Sequence, residues 1–99
     1  MRIIALFNLK PGVTREQYES WARSRDLPTV RSLPSIAAFD VLRTTGTLSG
    51  DAAPYEYVEI IDVKDMERFG VDVAADPMPA IAAEFAAHAD ATFILTEAL

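Results

Sequence analysis

The segment "PYEYVEIIDV" (residues 54–63) alternates as a β-strand should, yet it is apolar at the centre of both its faces. Tyr55, Tyr57, Glu59 and Ile61 point one way, and Glu56, Val58, Ile60 and Asp62 point the other. Residues 2–9 repeat the pattern, with Ile3, Ala5, Phe7 and Leu9 set against Ile4, Leu6 and Asn8. A sheet with one wet face would show polar residues along it. These strands need cover on both sides, and that requirement limits the folds open to the chain.

The remaining segments supply one cover. "KPG" (10–12) is a turn, and "VTREQY" (13–18) is a complete helix start. Thr14 and Gln17 are spaced for a capping box, with Val13 and Tyr18 placed as the hydrophobic staple. Tyr18, Trp21, Ala22 and Arg25 share one helical stripe. "SRDLPTVRSLPS" (24–35) is expected to interrupt this helix: Pro28 disfavours helical geometry at Leu27, Asp26 is a natural N-cap for a second short piece carrying Val30 and Leu33, and Pro34 ends it. Residues 35–45 form the second strand, 46–54 a polar loop, and 54–63 the third strand, making a long-looped hairpin. Residues 64–75 read as a helix with Met66, Phe69 and Val73 inward. "DPMP" (76–79) breaks it, Asp76 capping and Pro77 entering the first turn of a piece that carries Met78, Ile81, Ala82, Phe85 and His88 on one stripe. Residues 91–99 form the last strand.

The order β-α-β-β-α-β is the ferredoxin-like arrangement of an α+β fold. It predicts a four-stranded antiparallel sheet with two broken helices on one face, in a single domain spanning residues 1–99. The other face stays apolar and uncovered. A chain of 99 residues buries only about two-thirds of its surface alone. A second copy packed sheet against sheet would seal the surplus, giving a homodimer built as a closed α/β barrel with helices outside.

Composition removes several function classes. The formal net charge of −6 opposes general nucleic-acid binding, which rests on neutralising phosphates. Arg15, Arg23, Arg25 and Arg31 lie close in sequence, a pattern that a solvated helix face explains better than an anion site. The absence of cysteine removes disulfides and thiolate chemistry, and one histidine is too few for zinc. No loop has acidic spacing for magnesium or calcium, so no metal is expected. Glycine-rich phosphate loops and nucleophile elbows are also missing. The apolar start "MRIIALFNL" is too short for a signal peptide and lacks a small-residue cleavage site, and no run approaches the ~20 apolar residues of a membrane helix. The expectation is a cytoplasmic protein without membrane contact.

The segments "RIIALFNLKPGVT", "WARSRDLPTVRSLPSI" and "FILTEAL" resemble dimeric α/β-barrel proteins, and more narrowly the RedY-like HapK family associated with prodiginine-type pigment biosynthesis. The resemblance runs from Arg2 to Leu99. It implies specialised metabolism of aromatic or pyrrolic intermediates and leaves the reaction undefined. The wider superfamily includes cofactor-free monooxygenases of aromatic polyketides, EthD-like proteins, cyclases, isomerases and haem-degrading enzymes. In EthD-like relatives a histidine often precedes the proline after the first helix, whereas "RDLPTV" holds Asp26 in the comparable place. The resemblance therefore carries no imidazole mechanism to that position.

Three residues are candidates for proton transfer. Glu59 lies mid-strand, where burial would raise its pKa into a useful range. The competing reading is an ion pair or tyrosine hydrogen bond inside the dimer interface, with Arg43 on the neighbouring strand as a partner. Asp40, mid-strand in the second strand, shares this ambiguity. His88 is the one side chain that exchanges protons readily near neutrality, and a helix C-terminus equally suits a structural histidine. Asp26 is either a cap or an acid–base group. Tyr18, Trp21 and Arg25 end their stripe in polar atoms, which suits either core packing or a stacked aromatic ligand. Asn8, which interrupts an apolar strand, Tyr55 and Tyr57 complete the set.

These readings combine into a small-molecule tailoring protein. It would bind an aromatic or pyrrolic ligand between helices and sheet and catalyse a cyclisation, condensation or tautomerisation by proton transfer, without a cofactor. A cofactor-independent monooxygenase on the same scaffold is the alternative, and a non-catalytic carrier or assembly module is the third reading.

Overall fold

A computed structural model describes residues 1–99. Its elements follow the expected order: β1 (Arg2–Phe7), α1 (Arg15–Trp21), a π-helical segment (Ala22–Asp26), α2 (Leu27–Arg31), β2 (Ile36–Arg43), β3 (Tyr57–Val63), α3 (Met66–Ala74), α4 (Met78–His88) and β4 (Thr92–Leu95). The strands form one antiparallel sheet in the order β2-β3-β1-β4, and the arrangement is ferredoxin-like.

Register decides which strand face meets the helices. Ile3, Ala5 and Phe7 lie opposite Ile61, Glu59 and Tyr57, and all six are buried. Phe39 lies beside Ile61 on the same side. Two core clusters line this face. One joins Ile3, Phe39, Ile61 and Val63 to Val30 of α2, and the other joins Ala5, Phe7 and Tyr57 to Tyr18 and Ala22. Glu59 therefore sits under the helices. The dimer-interface reading of its carboxylate, with Arg43 as partner, does not hold for this placement, because Arg43 pairs with Glu19 instead. The opposite face carries Ile4, Leu6, Leu42, Val58, Ile60 and Ile94, none of them buried within one chain.

The first helix corrects the expectation of a break at Asp26. Thr14 and Gln17 form the predicted capping box, but the helix then runs on through Asp26, whose φ of −68° and ψ of −58° are helical, and it makes no capping bond. The reason is the π segment. Leu27 donates its backbone N–H to Ala22 O, five residues back, so the widened turn admits the ring of Pro28, which would collide with a carbonyl in a regular α-helix. The widening also has a packing consequence. Tyr18, Ala22, Asp26 and Val30 are buried at steps of four. Four α-helical steps overshoot a full turn by about 40°, and a turn holding one extra residue takes up that drift. Asp26 thus stays on the sheet side, while Trp21 and Arg25 rotate toward α4.

The second helical pair is broken as expected between Ala74 and Met78. Asp65 caps α3 by accepting from Arg68 N at 3.1 Å. Asp76 caps nothing: Pro77 occupies the cap position of α4, and Pro79 has no N–H for a cap to accept. The flanking strands are shorter than expected. β3 begins at Tyr57, leaving Tyr55 exposed before it, and β4 spans only Thr92–Leu95.

Candidate functional site

A cavity of about 570 Å³ opens between the sheet and α2, α3 and α4. Its floor is Ile3, Phe39, Glu59 and Ile61, with Phe93 and Leu95 from β4 at the edge. Its walls are Asp26 and Val30 from the first helix, Met66, Phe69 and Val73 from α3, and Met78, Ile81 and Phe85 from α4. Of the 19 lining residues 16 are hydrophobic, and the other three are all acidic: Asp26, Glu59 and Asp90. This volume and lining suit a small hydrophobic molecule held by few polar contacts.

Two of those carboxyls are withdrawn from water. Glu59 is 2% exposed and Asp26 5%. Glu59 Oε1 has no hydrogen-bond partner, which is costly for a buried acceptor unless the carboxyl is protonated or a ligand supplies the partner. Burial raises the Glu59 carboxyl to about 8, and the nearby Asp26 charge adds to the rise. Burial alone raises Asp26 to about 6. Both carboxyls are thus raised, Glu59 further than Asp26, and groups set apart in this way are suited to act as an acid and a base in one site.

Tyrosines back this pair. Tyr18 is fully buried with an unpartnered hydroxyl, and its pKa is raised first by burial and then by Glu59 and Asp26. Its ring lies 4.8 Å from that of Tyr57 and 5.7 Å from that of Phe7. The Tyr57 hydroxyl turns away from the cavity and donates to Glu19 Oε2 at 2.7 Å. Arg43 donates to the same carboxylate, from Nε at 2.8 Å and also from Nη2. Those bonds, Arg43 first and Tyr57 second, hold Glu19 down at about 2, and burial pushes Tyr57 up to about 12.

The other candidates lie off the cavity wall. Trp21 donates from Nε1 to Glu84 Oε1 at 2.7 Å, and Arg25 grips the same carboxylate with bonds of 3.0 and 2.6 Å. His88 stacks on Trp21, with centroids 5.0 Å apart, and its Nδ1 lies 2.7 Å from the main-chain oxygen of Glu84. These residues latch the first helix to α4, an element with Ile81 as its one buried side chain. Glu84→Ala should free that latch. Hydrogen exchange should then show α4 amides opening roughly tenfold faster, with β1 and β3 unchanged. Asn8 accepts from Glu56 N at 2.9 Å, a structural clasp where β1 leaves the sheet. Asp40 is exposed and pairs with Arg31.

Sequence reasoning missed Glu84 and Glu19, the two carboxylates that hold the arginines, and Asp90 at the cavity mouth. The Glu19–Arg23 spacing of four was a readable signal. Nothing in the spacing marked Glu84, which meets its partners across the fold. No three histidine, aspartate or glutamate side chains converge to hold a metal ion, and no helix is long and apolar enough to cross a membrane.

The comparisons with known proteins agree with this architecture. The family described as REDY-like protein HapK matches residues 1–99. The crystal structure of HapK from Hahella chejuensis superposes with a TM-score of 0.79 at 28% identity, covering 100% of this chain and 93% of that one. SnoaB, a cofactor-independent oxygenase from Streptomyces nogalater, superposes at 0.78 with 17% identity over 99% and 91% of the two chains. A dimeric ferredoxin-like protein of unknown function from Thermobifida fusca gives 0.68 at 21% identity over 96% and 89%. No curated protein matches the chain.

Proposed function

Because the chain belongs to the REDY-like HapK family, we propose that it is a small-molecule tailoring protein whose cavity binds an aromatic or pyrrolic intermediate and moves a proton within it. The observation that carries this reading is the pair Asp26 and Glu59, two desolvated carboxyls facing one apolar cavity. Ionised Asp26 takes a proton from one atom of the substrate, and protonated Glu59 gives one to another. In a tautomerisation or an isomerising cyclisation the substrate gains the proton of Glu59 and loses one to Asp26, and the pair resets by proton exchange with water. A condensation would in addition take a second molecule and release water. His88, held by Trp21 and Glu84, supports α4 and takes no part in the transfer.

The reading includes a second copy of the chain. The outer face of the sheet exposes Leu6 by 39%, Leu42 by 48% and Ile94 by 48%, and pairing sheet to sheet would cover them. The dimeric description of the Thermobifida protein, which shares this fold, supports pairing of two copies.

Deuterium exchange tests the chemistry. In D₂O, aromatic and pyrrolic ketones with acidic C–H bonds should gain deuterium faster with the protein than without it. His88→Ala should leave both the rate and its pH profile intact. Loss of exchange in that variant would place the imidazole in the mechanism. A cofactor-independent oxygenase reaction, suggested by the fold shared with SnoaB, needs a stabilised carbanion. Protonated Glu59 would quench one by giving it a proton before oxygen could react. An oxygen electrode should register no uptake with the same ketones.

A further inference from the structure

We infer that the cavity selects its ligand by charge: it takes an uncharged or cationic hydrophobic molecule whose hydrogen-bond donor is aimed at Glu59, and it turns away carboxylates and phenolates. This rests on the cavity being the substrate site, and it narrows the substrate class.

The polar lining is entirely acidic, and no basic side chain is part of it; Arg31 and Arg68 on the flanking helices pair with Asp40 and Asp72. Arg25 is held bidentate by Glu84, outside the wall. Arg23 and Arg43 bind Glu19, on the far side of Tyr18 and Tyr57. Lys10 bridges toward Asp90, at 3.5 Å, from the surface. The His88 ring lies against Trp21. No cation therefore reaches the interior to receive an anionic group.

Three buried side-chain atoms have no partner, the Tyr18 hydroxyl, Ser35 Oγ and Glu59 Oε1, and of these residues only Glu59 lines the cavity. A ligand N–H or O–H can meet the carbonyl oxygen of the Glu59 carboxyl, whereas a ligand carboxylate would be set beside the Asp26 charge in surroundings that screen poorly. Burial raises both carboxyls, Glu59 further than Asp26, so negative charge on the pair rests first on Asp26. The apolar walls add affinity for rings without regard to charge, so discrimination falls to the two carboxyls.

Three probes of equal ring size separate these effects: 1-naphthylmethylamine, 1-naphthylmethanol and 1-naphthoate. Calorimetry at pH 7.5 in 150 mM salt should find the amine bound at least roughly a hundredfold more tightly than the naphthoate, with the alcohol between them. In the double variant Asp26→Asn, Glu59→Gln the spread should shrink to about threefold, which separates the cavity's own charge from the net charge of the whole protein. Thermal melting of the variant confirms that it is folded. Naphthoate bound as well as the amine, or a spread unchanged in the folded double variant, would overturn the charge selection and leave the cavity a binding site. Failure of all three to bind would overturn the site itself, and the inference with it.

Discussion

Glu59→Gln is expected to make the protein more stable in mild alkali while removing its proton-transfer activity. Below about pH 4.5 the Glu59 carboxyl is protonated in both the folded and the unfolded chain, and its burial adds no pH dependence. Between about 4.5 and 8 the unfolded chain ionises while the folded chain keeps its proton, so stability falls as pH rises. Above about 8 the folded carboxylate is charged and buried, and the full penalty stands, on the order of 3–5 kcal/mol. An amide cannot ionise and escapes it. Urea unfolding at pH 5 and pH 8.5 should show the wild type losing most of that amount between the two conditions. The variant should lose only the smaller part due to Asp26, whose carboxyl rises to about 6. Proton transfer should fall by about 10²- to 10⁴-fold. A variant gaining stability as it loses function marks a residue retained for chemistry. Equal pH dependence in the two proteins would mean that Glu59 does not titrate in a dry site.

A charge on the outer face of the sheet is expected to separate the two copies. Ile4 lies at the centre of that face, between Ile60 of β3 and Ile94 of β4. Pairing two such faces buries a row of apolar side chains, each worth about 1.5–3 kcal/mol when fully covered. Ile4→Glu would insert a carboxylate into that interface twice, once from each copy, and an unpaired buried charge costs about 3–5 kcal/mol. At 10 μM, light scattering should give the wild type twice the mass of one chain and the variant the mass of one. The cavity lies on the other side of the sheet, so the separated variant should keep the Glu59 and Asp26 titrations. A wild type with the mass of one chain would remove the second copy from the account.

Much of the fold was readable because its signals are local. The capping box at Thr14 and Gln17, the alternation in β1 and β3, and the prolines at the second helical break each act within a few residues. The π segment was not readable in the same way. Asp26 and Pro28 carry the marks of a cap and a breaker, and only the buried spacing of Tyr18, Ala22, Asp26 and Val30 argues that the helix continues. Glu59 was marked by its position in an apolar strand, but alternation alone cannot say which face the helices cover. Its pairing with Ala5 settles that. The aromatic stripe divided in two: Tyr18 stayed in the core, and Trp21 turned to a carboxylate on α4 that no local pattern links to it.

Glu59 is expected to keep its proton at neutral pH inside the cavity. The direct measurement is the pH titration of its side-chain carboxyl by carbon-13 NMR, with the resonance assigned by its loss in Glu59→Gln. A midpoint near 8 is expected, with Asp26 near 6. A Glu59 midpoint near 4.5, the ordinary value for a solvated glutamate, would contradict it.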